Sequence, residues 1–242
     1  MPLTDSSLIG PAENRLLAAL PDDALILLEP DLRQLTLSQG VVCYGAGEPI
    51  DQVYFPQTGM ISQLITTGEG DTVETASTGR EGAVGLQCGF GPRLSFARTA
   101  VQIPGKFSTI SAARFEHAVS RSTALRDLVM HYTETLWAEA QQNAACNAIH
   151  DSASRLCRWL LQCADRTGSE QLLLTQEFLA EMLGVRRTTV TLLAQDLQKR
   201  RILRYSRGRI TILDRPGLEA CACECYGAIK QENLSQRIGI KL

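Results

Sequence analysis

Between Thr175 and Asp214 the chain reads as two short helices on a tight turn followed by a basic hairpin, an order that restricts the fold more than any other stretch. Thr175 suits an N-cap, because its hydroxyl can accept from an orphan backbone N–H, and Phe178, Leu179, Met182 and Leu183 then recur at helical spacing. Gly184 offers a left-handed stop, and Ala180, four residues earlier, is small enough for a second helix to cross closely. In that second helix Val190, Leu193, Ala194 and Leu197 form the buried stripe. Arg186, Arg187, Thr188, Thr189 and Thr191 are thereby left at its opening turns, on or beside the exposed side. A helix presented in this way fits the major groove of B-DNA, where arginine reads guanine and threonine reaches base edges or phosphates.

Two strand-like runs, Ile202–Tyr205 and Arg209–Leu213, flank Ser206-Arg207-Gly208, which has turn chemistry and a glycine. The predicted unit is a winged helix. From Arg186 to Arg209 there are eight basic residues against the single acid Asp196, a net charge of +7 that suits a phosphate backbone. Arg187 is expected to read a base and Arg186 a base or a phosphate, with Thr188 and Thr191 assisting. Arg204, Arg207 and Arg209 are expected on phosphates. The competing reading is a solvated helix pair that docks protein; turn, stripe, wing and charge together favour double-stranded DNA.

The overall charge of −2 conceals an asymmetry: residues 1–148 carry 9 basic and 16 acidic groups, a net of −7, whereas residues 149–242 carry 15 and 10, a net of +5. Nucleic acid therefore belongs with the second part. No basic opening followed by a long apolar run and no membrane-length apolar stretch is present, which points to the cytoplasm and to no membrane partner. In that compartment eight cysteines are thiols rather than disulfides, and Asn233-Leu234-Ser235 is not expected to carry a glycan.

In chain order, a polar opening precedes two short helical candidates, Asn14–Leu20 and Asp22–Leu28, split by Pro21. From about Pro30 to Pro104 short β-type runs alternate with glycine: 41–44, 52–55, 60–65, 72–75 and 97–101, the pattern of a small barrel or roll. Ser111–Val119 is a helix candidate, and Ser122 to about Ile149 a longer one with Leu125, Leu128, Val129, Tyr132 and Leu136 on one side. A long helix with a narrow apolar seam needs a partner, either its own β domain or its twin, and a homodimer is the expectation. Asp151 can cap the next helix, and Pro216-Gly217 opens a last one from Leu218 to about Glu232. The division expected is a β-roll sensor domain with flanking helices at 1–121, a dimerisation helix at 122–149 and a winged helix-turn-helix domain at 150–242, an α+β protein.

This order, with Gly40, Gly47-Glu48, Val53-Tyr54-Phe55, Gly59, Gly79 and Gly85 in the first domain and Ala180, Gly184, Val185 and Val190 in the last, resembles the Crp-Fnr family of bacterial transcription regulators over almost the whole chain. The resemblance implies a cyclic-nucleotide-binding-like β-roll, a homodimer on a two-fold symmetric DNA site, a signal that moves the recognition helices relative to one another, and RNA polymerase as a further partner if the protein activates. Thr188 and Leu192 stand where the cyclic-AMP receptor has its base-reading glutamate and second arginine, so a different half-site is implied.

The effector-pocket candidates are Gly85, Leu86, Arg98 and Thr99. Arg98-Thr99 matches the phosphate-binding half of the family's cassette, but Leu86 occupies the place of the glutamate that accepts from the ribose hydroxyl, which argues against cyclic AMP. Arg98 then serves another anion or pairs with Glu74 or Glu81. The effector is unknown from sequence. Only Cys43 lies in the first 87 residues, so the N-terminal iron–sulfur pattern of some relatives is missing. His117, His131 and His150 are isolated in sequence and give no haem signature. On one continuous helix Cys221 and Cys225 would share a face and Cys223 would point elsewhere, so no metal ligand set is assigned there. No phosphate loop, HExxH or GxSxG motif marks an enzyme. The remaining alternatives are a cyclic-nucleotide-responsive module that binds protein, and a DNA-binding regulator controlled by abundance or thiol oxidation.

Overall fold

The computed structural model describes residues 13–91 and 93–230. The polar opening, the Asn233 triplet and the end of the expected last helix lie outside the described residues.

Two short helices, α1 (Arg15–Ala18) and α2 (Asp22–Leu25), lead into the β-roll. Asn14 caps α1 by accepting from the Leu17 amide at 3.0 Å, and its side-chain amide donates to Pro56 and Gly82 carbonyls. Seven strands follow: β1 (Arg33–Leu37), β2 (Val42–Tyr44), β3 (Gln52–Pro56), β4 (Met60–Thr66), β5 (Thr72–Thr78), β6 (Arg98–Ile103) and β7 (Gly105–Ser111). They form two antiparallel sheets, β1-β7-β3 and β2-β6-β4-β5. Alternation in β3 turns Val53 and Phe55 inward, where they meet Tyr44, Ile61, Val101, Phe107 and Ile110. α3 (Ala112–Arg121) closes the roll, with Phe115 edge-on to Phe55. β1 and β7 were not anticipated. Arg33–Leu37 alternates only through Leu35 and Leu37 and is largely exposed, and Gly105–Ser111 is mostly polar or small, so neither carries a strand signal long enough to stand out.

α4 (Thr123–Ile149) is capped by Ser122, and its 27 residues span about 40 Å. The seam anticipated for a twin helix is occupied by the chain's own β-roll: Leu125, Val129 and Tyr132 are buried in its core, with Leu128 and Leu136 packed beside them. Burial of the largest apolar side chains on the nearer domain takes precedence over a second helix. Gly82 makes room for α4, since a Cβ there would overlap the Tyr132 ring. Met130 and Trp137 point to the other side and are 50% and 67% exposed.

The chain reverses at His150, and Asp151 starts α5 (Ser152–Thr167) by accepting from the Ala153 and Ser154 amides. α5 then runs back along α4, as Arg155 meets Asn147 and Arg158 meets Asn143, both at 2.9 Å. Near its end Arg166 is buried among groups of both other parts: Glu139 of α4 at 2.6 Å, Glu81 at 3.0 Å and Ser77 at 2.5 Å. Burial opposes the Arg166 charge, but Glu139 and Glu81 outweigh it and hold the guanidinium protonated far above its ordinary range. Burial also pushes the Glu81 carboxyl up, against the pull of Arg166. Met60, Leu64, Ala100 and Ile103 of the second sheet share a core with Trp159, Leu160, Leu172 and Leu179. The C-terminal half is therefore docked on the β-roll by a common apolar core and a buried ion cluster. Among the described residues no helix is long and apolar enough to cross a membrane.

Candidate nucleic-acid interface

After β8 (Gln171–Leu173) come α6 (Gln176–Leu183) and α7 (Arg187–Lys199), then β9 (Leu203–Ser206), β10 (Arg209–Ile212) and two short helices, α8 (Arg215–Cys221) and α9 (Cys225–Ile229). Thr175 caps α6 by accepting from the Phe178 amide at 3.3 Å. Gly184 takes φ 61°, and the Val185 amide returns to the Ala180 carbonyl at 3.0 Å, which satisfies an end carbonyl and turns the chain into α7. Arg155 supplies another such bond, donating to the Leu183 carbonyl at 2.7 Å. Leu179, Met182, Leu183, Val190 and Leu197 pack in one core with Ile202, Leu203, Ile210 and Ile212 of the hairpin. β8 adds a third strand beside β10 that was not anticipated, since three residues with Leu172 alone buried carry almost no periodicity.

This framework fixes the start of α7. Its N-cap is Arg186, whose side chain makes no cap hydrogen bond; the Thr189 amide returns to the Arg186 carbonyl at 2.9 Å, which leaves the Arg187 and Thr188 amides as the donors at the helix start. The positive end of a 13-residue helix and those amides face the same space as the exposed Arg186, Arg187 and Thr188. Thr189 and Thr191 are half-buried. Arg187 is already engaged: its Nη1 lies 2.6 Å from Glu177 Oε1 and its Nε donates to Gln176 Oε1 at 3.3 Å. The Thr191 hydroxyl lies 3.1 Å from both Gln176 Oε1 and the Arg187 carbonyl. Gln176 and Glu177 thus position Arg187 and Thr191, a role the sequence does not reveal because they look like ordinary first-turn helix residues. Both ends of the Arg187–Glu177 pair are more than half exposed, so the pair orients rather than stabilises.

The wing joins β9 and β10 through Arg207-Gly208, both at positive φ, 50° and 75°, the twist of a two-residue hairpin turn. Arg207 projects from that tip, and Arg204 and Arg209 are exposed on the flanking strands. Among the described residues no carboxylate lies within ion-pair distance of Arg186, Arg204, Arg207 or Arg209. Arg200, by contrast, is drawn back to Asp196 and to the Cys221 sulfur.

The effector-pocket candidates are built into the roll. Gly85 takes φ 90°, and a Cβ there would press on the Gln52 carbonyl and the Tyr44 hydroxyl, both at 2.6 Å. Leu86 is core, 4% exposed, and Thr99 is buried with its hydroxyl toward the Ala97 carbonyl. Arg98 is half-buried opposite Leu64 in the β6–β4 register. Its suggested partners are taken elsewhere, Glu74 by Ser62 and Trp159 and Glu81 by Arg166. A cleft of about 60 Å³ lies instead between α1, α5 and α9, lined by Arg15, Glu81, Gln162, Asp165, Arg166 and Tyr226.

The last helix also differs from expectation. It breaks after Cys221, where Ala222 becomes extended at ψ 152°, so Cys221 and Cys225 do not share the helical face expected of them. Cys221 turns to Arg200, while Cys223 and Cys225 turn to the end of α4, to Cys146 and the capping residue His150. His150, isolated in sequence, is not isolated in space.

Residues 154–221 match the Crp-like helix-turn-helix domain. No curated protein matches the chain in sequence. Among solved structures the chain is similar to FixK2 from Bradyrhizobium japonicum, at 17% identity and a TM-score of 0.68 over 79% of this chain and 98% of that one. A Crp/Fnr-family transcriptional regulator from Thermus thermophilus aligns at 20% identity and a TM-score of 0.63, covering 78% and 98%. A Crp/Fnr-family putative transcriptional regulator from Eubacterium rectale aligns at 20% and 0.60, covering 87% and 98%. Roll, long helix and winged helix-turn-helix thus recur in the same order, and the chain carries a Crp-like helix-turn-helix domain within the fold of the Crp/Fnr transcription regulators.

Proposed function

We propose that the chain acts as a homodimeric, sequence-specific DNA-binding regulator of transcription in the cytoplasm rather than as an enzyme. The observation that carries this reading is the start of α7: the Arg187 and Thr188 amides, a helix dipole and the exposed Arg186, Arg187 and Thr188 side chains together, beside a wing whose Arg204, Arg207 and Arg209 meet no carboxylate among the described residues. Arg187 reads a base edge once it leaves Glu177, Arg186 a base or a phosphate, and Thr188, Thr189 and Thr191 line the same approach. The wing arginines hold phosphates.

Residues 122–149 pair with their copy through the outer side of α4. Met130 and Trp137, seven residues apart and exposed, share that side with Gln141, Ala144 and Ala148, whose small or flexible side chains let two helices approach. Residues 1–121 form the sensing part and 150–242 the reading part. The Arg166 cluster couples them, because any signal that loosens Ser77, Glu81 or Glu139 releases the reading part from the roll. The signal is not cyclic AMP in this reading: Leu86 has no oxygen for a ribose hydroxyl and is buried in the core. As an activator, the protein would also touch RNA polymerase.

The test is a mobility-shift titration over a range of salt concentrations with a selected duplex and a scrambled one. Arg187→Ala should bring the two affinities together, removing about 1–3 kcal/mol of discrimination. Arg207→Ala should weaken both alike and flatten the salt dependence. Equal effects of the two substitutions would overturn the assignment of roles.

A further inference from the structure

Cys146 stands on the last turn of α4 and His150 is the C-cap four residues on, its amide still bonded to the Cys146 carbonyl at 3.0 Å, and the break between α8 and α9 brings Cys223 and Cys225 against them. The four candidate ligand atoms, three sulfurs and one ring nitrogen, lie within 4.8 Å of one another. Cys146 Sγ is 3.5 Å from Cys223 Sγ, and Cys225 Sγ is 3.6 Å from His150 Nδ1. A tetrahedral ion with bonds of about 2.3 Å to sulfur and 2.0–2.1 Å to nitrogen has ligand-to-ligand edges of roughly 3.5–3.8 Å. Two of the six separations already match such edges and all lie within 4.8 Å, so small side-chain adjustments close the four atoms around one ion, and there is no room for a cluster of several irons and sulfides.

We propose that Cys146, His150, Cys223 and Cys225 form a mononuclear Cys3His site for a divalent cation of the zinc class, which clamps the end of the long helix to the C-terminal segment. The surroundings are arranged as such a site requires. His150 presents Nδ1 inward and Nε2 to Glu224 Oε1 at 3.1 Å, the carboxylate–imidazole pairing that fixes the tautomer of a metal-bound histidine. The Gln142 amide donates to Cys225 Sγ at 3.1 Å, a bond that favours a thiolate. Three thiolates and a neutral imidazole on a divalent ion leave one negative charge. Arg158, 5% exposed, bonded to Asn143 of α4 at 2.9 Å and without a carboxylate at ion-pair distance among the described residues, is the buried cation available to offset it. Ligands of this softness in a tetrahedral set select zinc over calcium or magnesium. Residues 77 apart in the chain are joined at the turn where α4 hands over to α5, so the ion holds the hinge of the reading part.

The full-length protein, purified under reducing conditions, is assayed for metals and acid-labile sulfide, then stripped with a chelator and titrated with Zn(II) and Co(II). The expected result is one zinc per chain without sulfide, and a cobalt form with the intense visible bands of tetrahedral thiolate coordination. Cys225→Ser and His150→Ala should each lose most of the bound ion, whereas Cys221→Ser, whose sulfur faces Arg200, should retain one per chain. Should the ligand variants fail to fold, alkylation of the wild type decides: Zn(II) should protect Cys146, Cys223 and Cys225 more than tenfold and leave Cys43 and Cys221 unaffected. A Cys146–Cys223 disulfide in place of metal, iron with sulfide, a weakly absorbing octahedral cobalt spectrum, or equal metal loss in Cys221→Ser would each overturn the site.

Discussion

Arg207 occupies a left-handed conformation, φ 50°, at the exposed tip of the wing, where glycine or asparagine would be the easier choice. An L side chain in that region costs about 1–2 kcal/mol, and asparagine recovers part of it through local hydrogen bonding. Arg207→Asn should therefore stabilise the fold by about 0.5–1 kcal/mol. The same change removes one phosphate contact per protomer. Each neutralised phosphate contributes about −0.9 to the slope of log affinity against log salt, so a dimer on one duplex should lose about 1.8 in slope. Urea unfolding and fluorescence-anisotropy titration with labelled duplex over a series of salt concentrations measure both effects on the same samples. The variant should unfold at higher urea and bind more weakly at low salt, and the two affinities should converge as salt rises. An unchanged slope would mean that Arg207 touches no phosphate. A loss of stability would mean that the arginine is there for the turn and not for the nucleic acid.

Other consequences can be checked separately. Arg166→Met strands Glu81 and Glu139 in the core and should cost about 3–5 kcal/mol by chemical denaturation, most of it recovered when both carboxylates become glutamine; a loss below about 1 kcal/mol would show that the cluster is not a latch. Trp137→Glu places a charge on the proposed pairing face and should shift the protein to monomer in sedimentation while far-UV circular dichroism stays unchanged; a persistent dimer would move the interface elsewhere. Gly82→Ala drives a methyl group into the Tyr132 ring and should destabilise by about 1–3 kcal/mol, measured by thermal unfolding. Burial raises the Glu74 carboxyl above its ordinary 4.5, so its contribution is full below that pH and is lost as pH climbs through the folded-state value. Glu74→Gln should remove that fall from the curve of stability against pH, and parallel curves for the two proteins would refute it.

What could be read from the sequence depended on how local the signal was. Thr175, Gly184 and the Val190-to-Leu197 stripe act within a few residues, so α6, α7 and the wing stand where the pattern puts them. β1, β7 and β8 depend on neighbours far along the chain, and their own residues carry too short or too polar a pattern to betray them. The α4 seam was recognised as apolar but its partner was misjudged, because periodicity reports that a face is buried and not against what. The cysteines show the same limit. The pattern through Cys221–Cys225 reads as an uninterrupted helix, and the break at Ala222 reverses which sulfurs converge; His150, 75 residues before Cys225, carries no local sign of belonging with them. Gln176 and Glu177 were invisible as positioning residues because their role exists only once α6 and α7 are packed.

The central claim is that two copies of the α7 start, carried by paired long helices, enter successive turns of one duplex. Selection from a random double-stranded pool with the full-length protein, followed by sedimentation of the protein with the winning sequence, tests it most directly. Enrichment of a two-fold symmetric sequence with half-site centres about one helical turn apart, bound by two chains per duplex, is the predicted result. Enrichment of a lone asymmetric element bound by one chain, or of nothing at all, would contradict it.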